Sequence, residues 1–356
     1  VNPRALLIAL LLGSCSAPPP PPPLDPSLRE KVDTGARELV ALPKSAGLAI
    51  GLLRDGVPHV LGYGRISDTD PAAPGGDTVF EIGSLTKTFT GILLDQAVRD
   101  GVVALEDPLA KHLPKDVRVP SRNGKDITLL HLATHRSGLP PLPSNFAPKD
   151  ATNPYADFTV EDLYDCLDTL ELARDPGAKY DYSNLGMGLL GHILALKAGR
   201  PYESLVVERI CAPLGMTDTR VALDAGQKRR LAPGHDSAGN AAPNWDLPTL
   251  AGAGALRSTA NDLLRYLAAN LGDAYAATHV ERARIGKGQG IGLAWHRMKL
   301  ADTGPVIVWH NGRTGGYRSW AGFVAETKTA VVVLSNCTVD VDLLGVALLN
   351  ALQDVK

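Results

Sequence analysis

Strand-like sequence is confined to the two ends of this chain. Apolar, β-branched runs occur at 47–53 and 59–64, joined by the turn Arg54-Asp55-Gly56, and again at 305–310, 319–325 and 330–334. Strands must pair, so the two groups have to meet in one sheet across everything between them. The links within each group are short, which makes that sheet antiparallel. Apolar helical patterns at 28–42 and 341–352 flank the strands, and the segment from about 91 to 290 reads as mostly helical, with Pro/Gly-rich connections and no internal repeat. The expected fold class is α+β: a five-stranded antiparallel sheet flanked by terminal helices, with an inserted, mostly helical domain. The catalytic body is expected over 27–352, its sheet part at about 27–90 and 291–352. With 356 residues and 44% hydrophobic composition, the chain can bury a large core. A net charge of -2, without any Lys/Arg run, argues against nucleic acid as a partner.

The N-terminal segment points to export. Arg4 precedes the apolar run 5–12, which is too short to span a bilayer. The run ends in Leu12-Gly13-Ser14-Cys15, similar to the lipobox of bacterial lipoproteins, which implies cleavage after 14 and lipidation of Cys15. Each buried methylene of such a chain contributes ~0.8 kcal/mol, so several acyl chains anchor firmly. Residues 18–23 are all proline, and polyproline II holds a body off the membrane at ~3.1 Å per residue. The expectation is therefore a leader at 1–14, a lipidated cysteine and Pro-rich linker at 15–26, and a location on the periplasmic side of the envelope. Cys166, Cys211 and Cys337 form no C-x-x-C or metal pattern and read as small buried hydrophobes.

Three short elements carry chemistry. In Gly83-Ser84-Leu85-Thr86-Lys87, the serine opens an apolar helix and the lysine lies three residues on, on the same face. A serine hydroxyl is a poor nucleophile until a base takes its proton. Lys87 can serve only if neutral, and lowering its pKa to near neutrality costs roughly 4 kcal/mol, so the site must be tight and buried. In Tyr182-Ser183-Asn184, a phenol can relay a proton and an amide can bind a substrate carbonyl. In His310-Asn311-Gly312-Arg313-Thr314-Gly315-Gly316, the glycines admit a substrate backbone, and His310 offers a donor, cationic when protonated, for a carboxylate or a developing anion.

In this order the elements resemble the class C β-lactamases, together with the D-alanyl-D-alanine peptidases and β-lactamase-like esterases related to them. Other matching stretches are Leu105-Glu106-Asp107-Pro108, Ser137-Gly138-Leu139-Pro140 and Pro213-Leu214-Gly215-Met216. The resemblance implies a Ser84 acyl-enzyme, with Lys87 and Tyr182 sharing the proton work and either one serving as formal base. It implies Asn184 on the substrate amide, His310 and Gly312 beside the substrate, and an oxyanion hole of the Ser84 and Arg313 N–H groups. It implies neither cofactor nor metal. His310 stands where most β-lactamases of this class carry lysine, so carboxylate recognition is expected to be weaker or pH-dependent. A substrate-contacting glutamine is expected shortly after Pro140; the chain offers Asn145 in its place. Three functions stay open: hydrolysis of β-lactams or D-Ala-D-Ala peptides, carboxylesterase activity, and non-catalytic peptidoglycan or penicillin binding. No G-x-S-x-G supports an α/β-hydrolase, and His131 and His135 lack the Glu of H-E-x-x-H.

Overall fold

The computed structural model describes residues 22–44, 46–299 and 304–354; the expected leader at 1–14, Cys15 and the proline run as far as residue 21 lie outside the described residues. The first helix, α1 (Pro26–Val40), starts where the Asp25 carboxylate accepts the N–H groups of Ser27 and Leu28, with proline at the first helical position. The hairpin β1 (Gly47–Arg54) and β2 (Val57–Gly64) follows. The chain then enters a helical body containing α2 (Thr86–Arg99), α3 (Asn184–Ala198) and α4 (Ala260–Asn270).

It returns as strands earlier than the sequence pattern indicates. Three short strands, β3 (Ala283–Gly286), β4 (Gln289–Ile291) and β5 (His296–Lys299), precede the expected ones. Then come β6 (Val306–Arg313), β7 (Arg318–Val324), β8 (Thr329–Ser335) and the closing helix α5 (Asp342–Asp354). The sheet therefore has eight strands rather than five, in the order β2-β1-β8-β7-β6-β5-β4-β3, every pair antiparallel. Strands of this sheet thus resume at 283, ahead of the boundary expected at about 290. The extra strands have three or four residues each and are broken by Gly286, Gly288 and Gly290, too short for a period-two pattern to show.

Alternation along the strands divides the core in two. Leu48, Ile50, Leu52, Trp320, Val331 and Val333 face Val32 and Ala36 of α1 and Leu348 and Leu349 of α5. Ala49, Leu53, Val308, Ala321, Phe323, Val332 and Leu334 face the helical body, where Leu263, Leu264 and Leu267 of α4 meet them. Each large aliphatic or aromatic side chain so buried contributes about 1.5–3 kcal/mol. Even-numbered residues of β6, His310 among them, therefore look toward the helical body. The three cysteines 166, 211 and 337 are free and buried, as expected.

Candidate active site

The serine is carried by a tight turn, Gly83–Leu85, that runs directly into α2. Gly83 has φ +49, and a Cβ there would lie 2.8 Å from the backbone N of Arg313. Only glycine permits both the left-handed backbone and this approach to β6. Across the same contact, a Cβ on Gly312 would lie 2.0 Å from the Ile82 carbonyl oxygen. Ser319 Oγ donates to that carbonyl at 2.7 Å and ties β7 to the turn as well. The Ser84 N–H, in the first turn, has no partner within the helix and sits at the positive end of the helix dipole.

The Arg313 N–H points to the same place. Thr314 N–H donates to the Tyr317 carbonyl at 3.1 Å, so even-numbered amides of β6 bond toward β7 and odd-numbered ones face the other edge. On that edge β5 pairs only with residues 306–309. The Arg313 amide lies beyond β5's last partner and faces the serine turn. Two backbone N–H groups from opposite ends of the chain thus flank Ser84, a geometry suited to an oxyanion.

Lys87 lies one turn along α2 and is completely buried. Its Nζ is 2.9 Å from Ser84 Oγ, 2.8 Å from Asn184 Oδ1 and 2.6 Å from the Ala253 carbonyl oxygen. Burial holds its pKa well below the ordinary lysine value. Nζ is within donor reach of all three oxygens, and those of Asn184 and Ala253 can only accept. Asn184 reaches Lys87 because Ser183 caps α3, its Oγ accepting the Gly186 N–H at 2.9 Å and donating to the Pro140 carbonyl at 2.6 Å. That cap leaves Asn184 at the first helical position, with its Nδ2 donating to the Tyr155 hydroxyl at 3.3 Å.

Tyr182 precedes the cap. Its ring lies 4.9 Å from Lys87 Nζ and is tilted against His135 at 4.4 Å between centroids. Burial pushes the phenol pKa up, and the Ser84 hydroxyl beside it pulls the other way. Behind Tyr182 stand three buried histidines. His135 Nδ1 accepts the Ser183 N–H at 3.1 Å, His296 Nε2 pairs with the Tyr180 hydroxyl at 3.0 Å, and His310 Nδ1 donates to the Asn311 carbonyl at 2.6 Å. Burial depresses all three pKa values, that of His296 to about 4, with Lys87 adding to the effect. His310 is accordingly a neutral, fully enclosed imidazole in the free protein. Desolvation is the largest cause of that depression, with His296 and Lys87 adding to it and only the bond to the Asn311 carbonyl working against it.

Below the serine turn, Glu81 and Arg257 form a buried ion pair at 3.2 Å, their strand residues paired directly. Arg257 also donates to the Trp245 carbonyl at 2.9 Å, and Trp245 N–H donates back to Glu81 at 2.9 Å. The loop carrying Trp245 is thereby fixed against Tyr155, their rings 5.5 Å apart.

The Beta-lactamase family model matches residues 33–354, nearly the whole chain. This chain belongs to that family. It is 32% identical over 311 residues to the D-alanyl-D-alanine-carboxypeptidase/endopeptidase AmpH of Escherichia coli, covering 82% of this chain and 79% of the relative. It is 27% identical to a β-lactamase of Pseudomonas fluorescens, covering 87% and 93%. Among solved structures, a β-lactamase/D-alanine carboxypeptidase from Yersinia pestis, complexed with citrate, superposes with a TM-score of 0.81 at 26% identity, covering 91% of this chain and 97% of that one. The architecture is the α+β, class C β-lactamase type, with a central antiparallel sheet flanked by helices.

Of the residues singled out from sequence, the fold brings Ser84, Lys87, Tyr182, Asn184, His310, Gly312 and the Arg313 backbone together. Asn145 goes elsewhere. It is exposed, its Nδ2 donates to the Asp162 carbonyl at 2.8 Å, and it lines a surface cavity of about 220 Å³ with Phe146, Lys149 and Asp157. The amide of Asn184 is partly committed already, to Lys87 and Tyr155. Tyr155, His135, Tyr180 and His296 join the site without any motif to announce them.

Proposed function

We propose that this protein is a serine hydrolase that works through a Ser84 acyl-enzyme on D-Ala-D-Ala peptides or β-lactams. The observation that carries this reading is Lys87: a completely enclosed amine, hydrogen-bonded to Ser84 Oγ and to two groups that can only accept. Ser84 Oγ attacks the substrate carbonyl while its proton passes to Lys87 or Tyr182. The Ser84 and Arg313 N–H groups take the developing oxyanion, and the same proton is delivered to the leaving amine. Water then attacks the acyl-enzyme and regenerates the serine. The relatives support the two substrate classes: one is named a D-alanyl-D-alanine carboxypeptidase/endopeptidase, another a β-lactamase.

A second reading has its own support. Neutral, enclosed His310 gives a substrate carboxylate no standing charge, which favours uncharged esters. A third reading, non-catalytic peptidoglycan or penicillin binding, requires that Ser84 never be acylated. We also place the protein on the periplasmic side of a bacterial envelope, with residues 1–14 as leader, lipid on Cys15 and a Pro-rich spacer to 26, which makes the membrane a partner alongside the substrate.

The decisive experiment combines intact-mass analysis after labelled penicillin with turnover of nitrocefin, a D-Ala-D-Ala peptide and a p-nitrophenyl ester. A covalent adduct on the wild type that is lost in Ser84→Ala is expected, and the preferred substrate separates the readings. Full turnover of all three by Ser84→Ala would sink the mechanism.

A further inference from the structure

A phenol can relay a proton to or from Ser84 only if it is held in place, and one residue holds the chain on both sides of Tyr182. The Asp181 N–H donates to the His135 carbonyl at 2.7 Å, and the Ser183 N–H donates to His135 Nδ1 at 3.1 Å. Between those two bonds the imidazole lies against the Tyr182 ring, 4.4 Å between centroids at an interplanar angle of 31°. His135 is itself buried and tied down. Its N–H donates to the Leu132 carbonyl at 3.2 Å, and Tyr180 meets its ring edge-on at 5.8 Å. The next residue, Arg136, accepts the Gly177 N–H at 2.7 Å, from the loop that leads to Tyr182.

The backbone is bent to serve this arrangement. His135 has φ +53, in the left-handed region, which a residue with a side chain occupies rarely and only where its surroundings fix it. Glycine would relieve that conformation but offer nothing to Ser183 or Tyr182. Asparagine would tolerate it and supply an acceptor, yet no ring; phenylalanine would supply a ring and no acceptor. Histidine alone of the four supplies both, and with Nδ1 accepting, its proton sits on Nε2. Burial keeps the imidazole neutral, so the acceptor persists.

We infer that His135 is the positioning residue of Tyr182: by bonding the chain on both sides of it and backing its ring, His135 sets the phenol against Ser84 Oγ. The inference rests on the reading of Tyr182 as part of the proton path of Ser84. His135 acts through Tyr182 and not on the reacting atoms. A misplacement of ~1 Å lowers a rate by about 10²-fold, so a slack phenol is nearly as poor as a missing one. Ser183 also caps α3, and a loss of its bond to His135 that acted through Asn184 instead would not depend on the Tyr182 hydroxyl.

The test is a double-mutant cycle on the full chain, read as the rate of Ser84 acylation by labelled penicillin in intact-mass time courses. His135→Gly relieves the backbone and removes acceptor and ring together, and is expected to slow acylation about 10²-fold in the Tyr182 protein. In the Tyr182→Phe background the same change is expected to alter the rate by less than about threefold, because the hydroxyl it serves is gone. His135→Asn, which restores an acceptor at the Nδ1 position, is expected to recover most of the loss. Equal slowing in both backgrounds would make His135 a structural or Asn184-directed residue and overturn the inference. So would no slowing at all, or His135→Asn remaining as slow as His135→Gly. Should His135→Gly not fold, ¹⁵N-imidazole NMR of the wild type at about pH 7 answers instead. His135 Nδ1 is expected unprotonated and Nε2 protonated, and the opposite tautomer, which cannot accept from Ser183, would overturn the inference. Tyr182→Phe alone tells the two readings apart. If it leaves acylation unchanged, the proton path through Tyr182 fails and this inference with it, whereas slowing without coupling to His135 sinks the inference only.

Discussion

Replacing Lys87 with methionine should change how stability depends on pH, not merely how large it is. In the unfolded chain a lysine keeps its proton up to a pKa of ~10.4. In the folded chain, complete burial holds the neutral amine to a much lower pH. Between those two values unfolding takes up one proton, so this residue makes the wild type more stable by about 1.4 kcal/mol for each pH unit gained. Lys87→Met has no such slope. It leaves Asn184 Oδ1 and the Ala253 carbonyl oxygen without their donor, at about 1–3 kcal/mol each, an offset that barely varies with pH. Groups away from Lys87 cancel when variant and wild type are compared, and His135, His296 and His310, which it influences, have pKa values lowered from the ordinary histidine value and add little above pH 7. Urea unfolding at about pH 7, 8 and 9 should therefore show the difference moving in favour of the wild type as pH rises, by up to about 1.4 kcal/mol per unit. The variant should also be inactive on every substrate. Parallel stability curves would refute the reasoning: Lys87 would then be an ammonium donating to all three partners, and no base for Ser84.

Tyr182→Phe should slow acylation by about 10²–10⁴-fold while keeping the ring contact with His135, measured by stopped-flow with nitrocefin; an unchanged rate removes the phenol from the proton path. Arg257→Met should cost about 3–5 kcal/mol by leaving Glu81 unpaired in a buried site. Burial raises the folded pKa of Glu81 above its unfolded value, so that penalty is full above the folded pKa and disappears below the unfolded one. Denaturant unfolding at acid and alkaline pH checks this, and adding Glu81→Gln should recover most of the loss. Gly312→Ala places a Cβ against the Ile82 carbonyl oxygen and Ser319 Oγ, so stability should fall by about 1–3 kcal/mol, with acylation slowed as β6 is pushed off the serine turn. A thermal melt and acylation rate equal to wild type would show that the close approach is dispensable.

What could be read from sequence was what neighbouring residues decide. Ser84 and Lys87 share a helix face by spacing, and Tyr182-Ser183-Asn184 stands directly before an apolar helical run, so short-range pattern draws notice to these residues. The terminal strands and helices were legible because their alternation and amphipathic pattern are long enough to register. Strands β3 to β5 were not, since glycines and charges interrupt runs of three or four residues. The Ala253 carbonyl, Tyr155, His135, Tyr180 and His296 enter the site through loop placement and strand register, which no local pattern encodes. The depth to which His310 is enclosed, and with it the lowering of its pKa, was not legible either: a reference pKa describes a solvated imidazole, whereas enclosure here is imposed by residues far away in sequence. Asn145 was tied to the site only by its distance from Pro140, and its bond to Asp162 takes it elsewhere.

The pairing of β1 with β8 sets Leu48 against Ser335, and the contact of Gly83 with Arg313 is nearly as remote in the chain. Contacts of such separation form late and make folding slow. On the proposed mechanism, Ser84 therefore has neither its second oxyanion donor nor its histidine wall until the C-terminal strands have docked. A nascent or partly unfolded chain should then be chemically silent, and acylation of Ser84 should report the completed fold. In a refolding experiment, labelling by penicillin should lag behind helix formation and rise together with burial of Trp320.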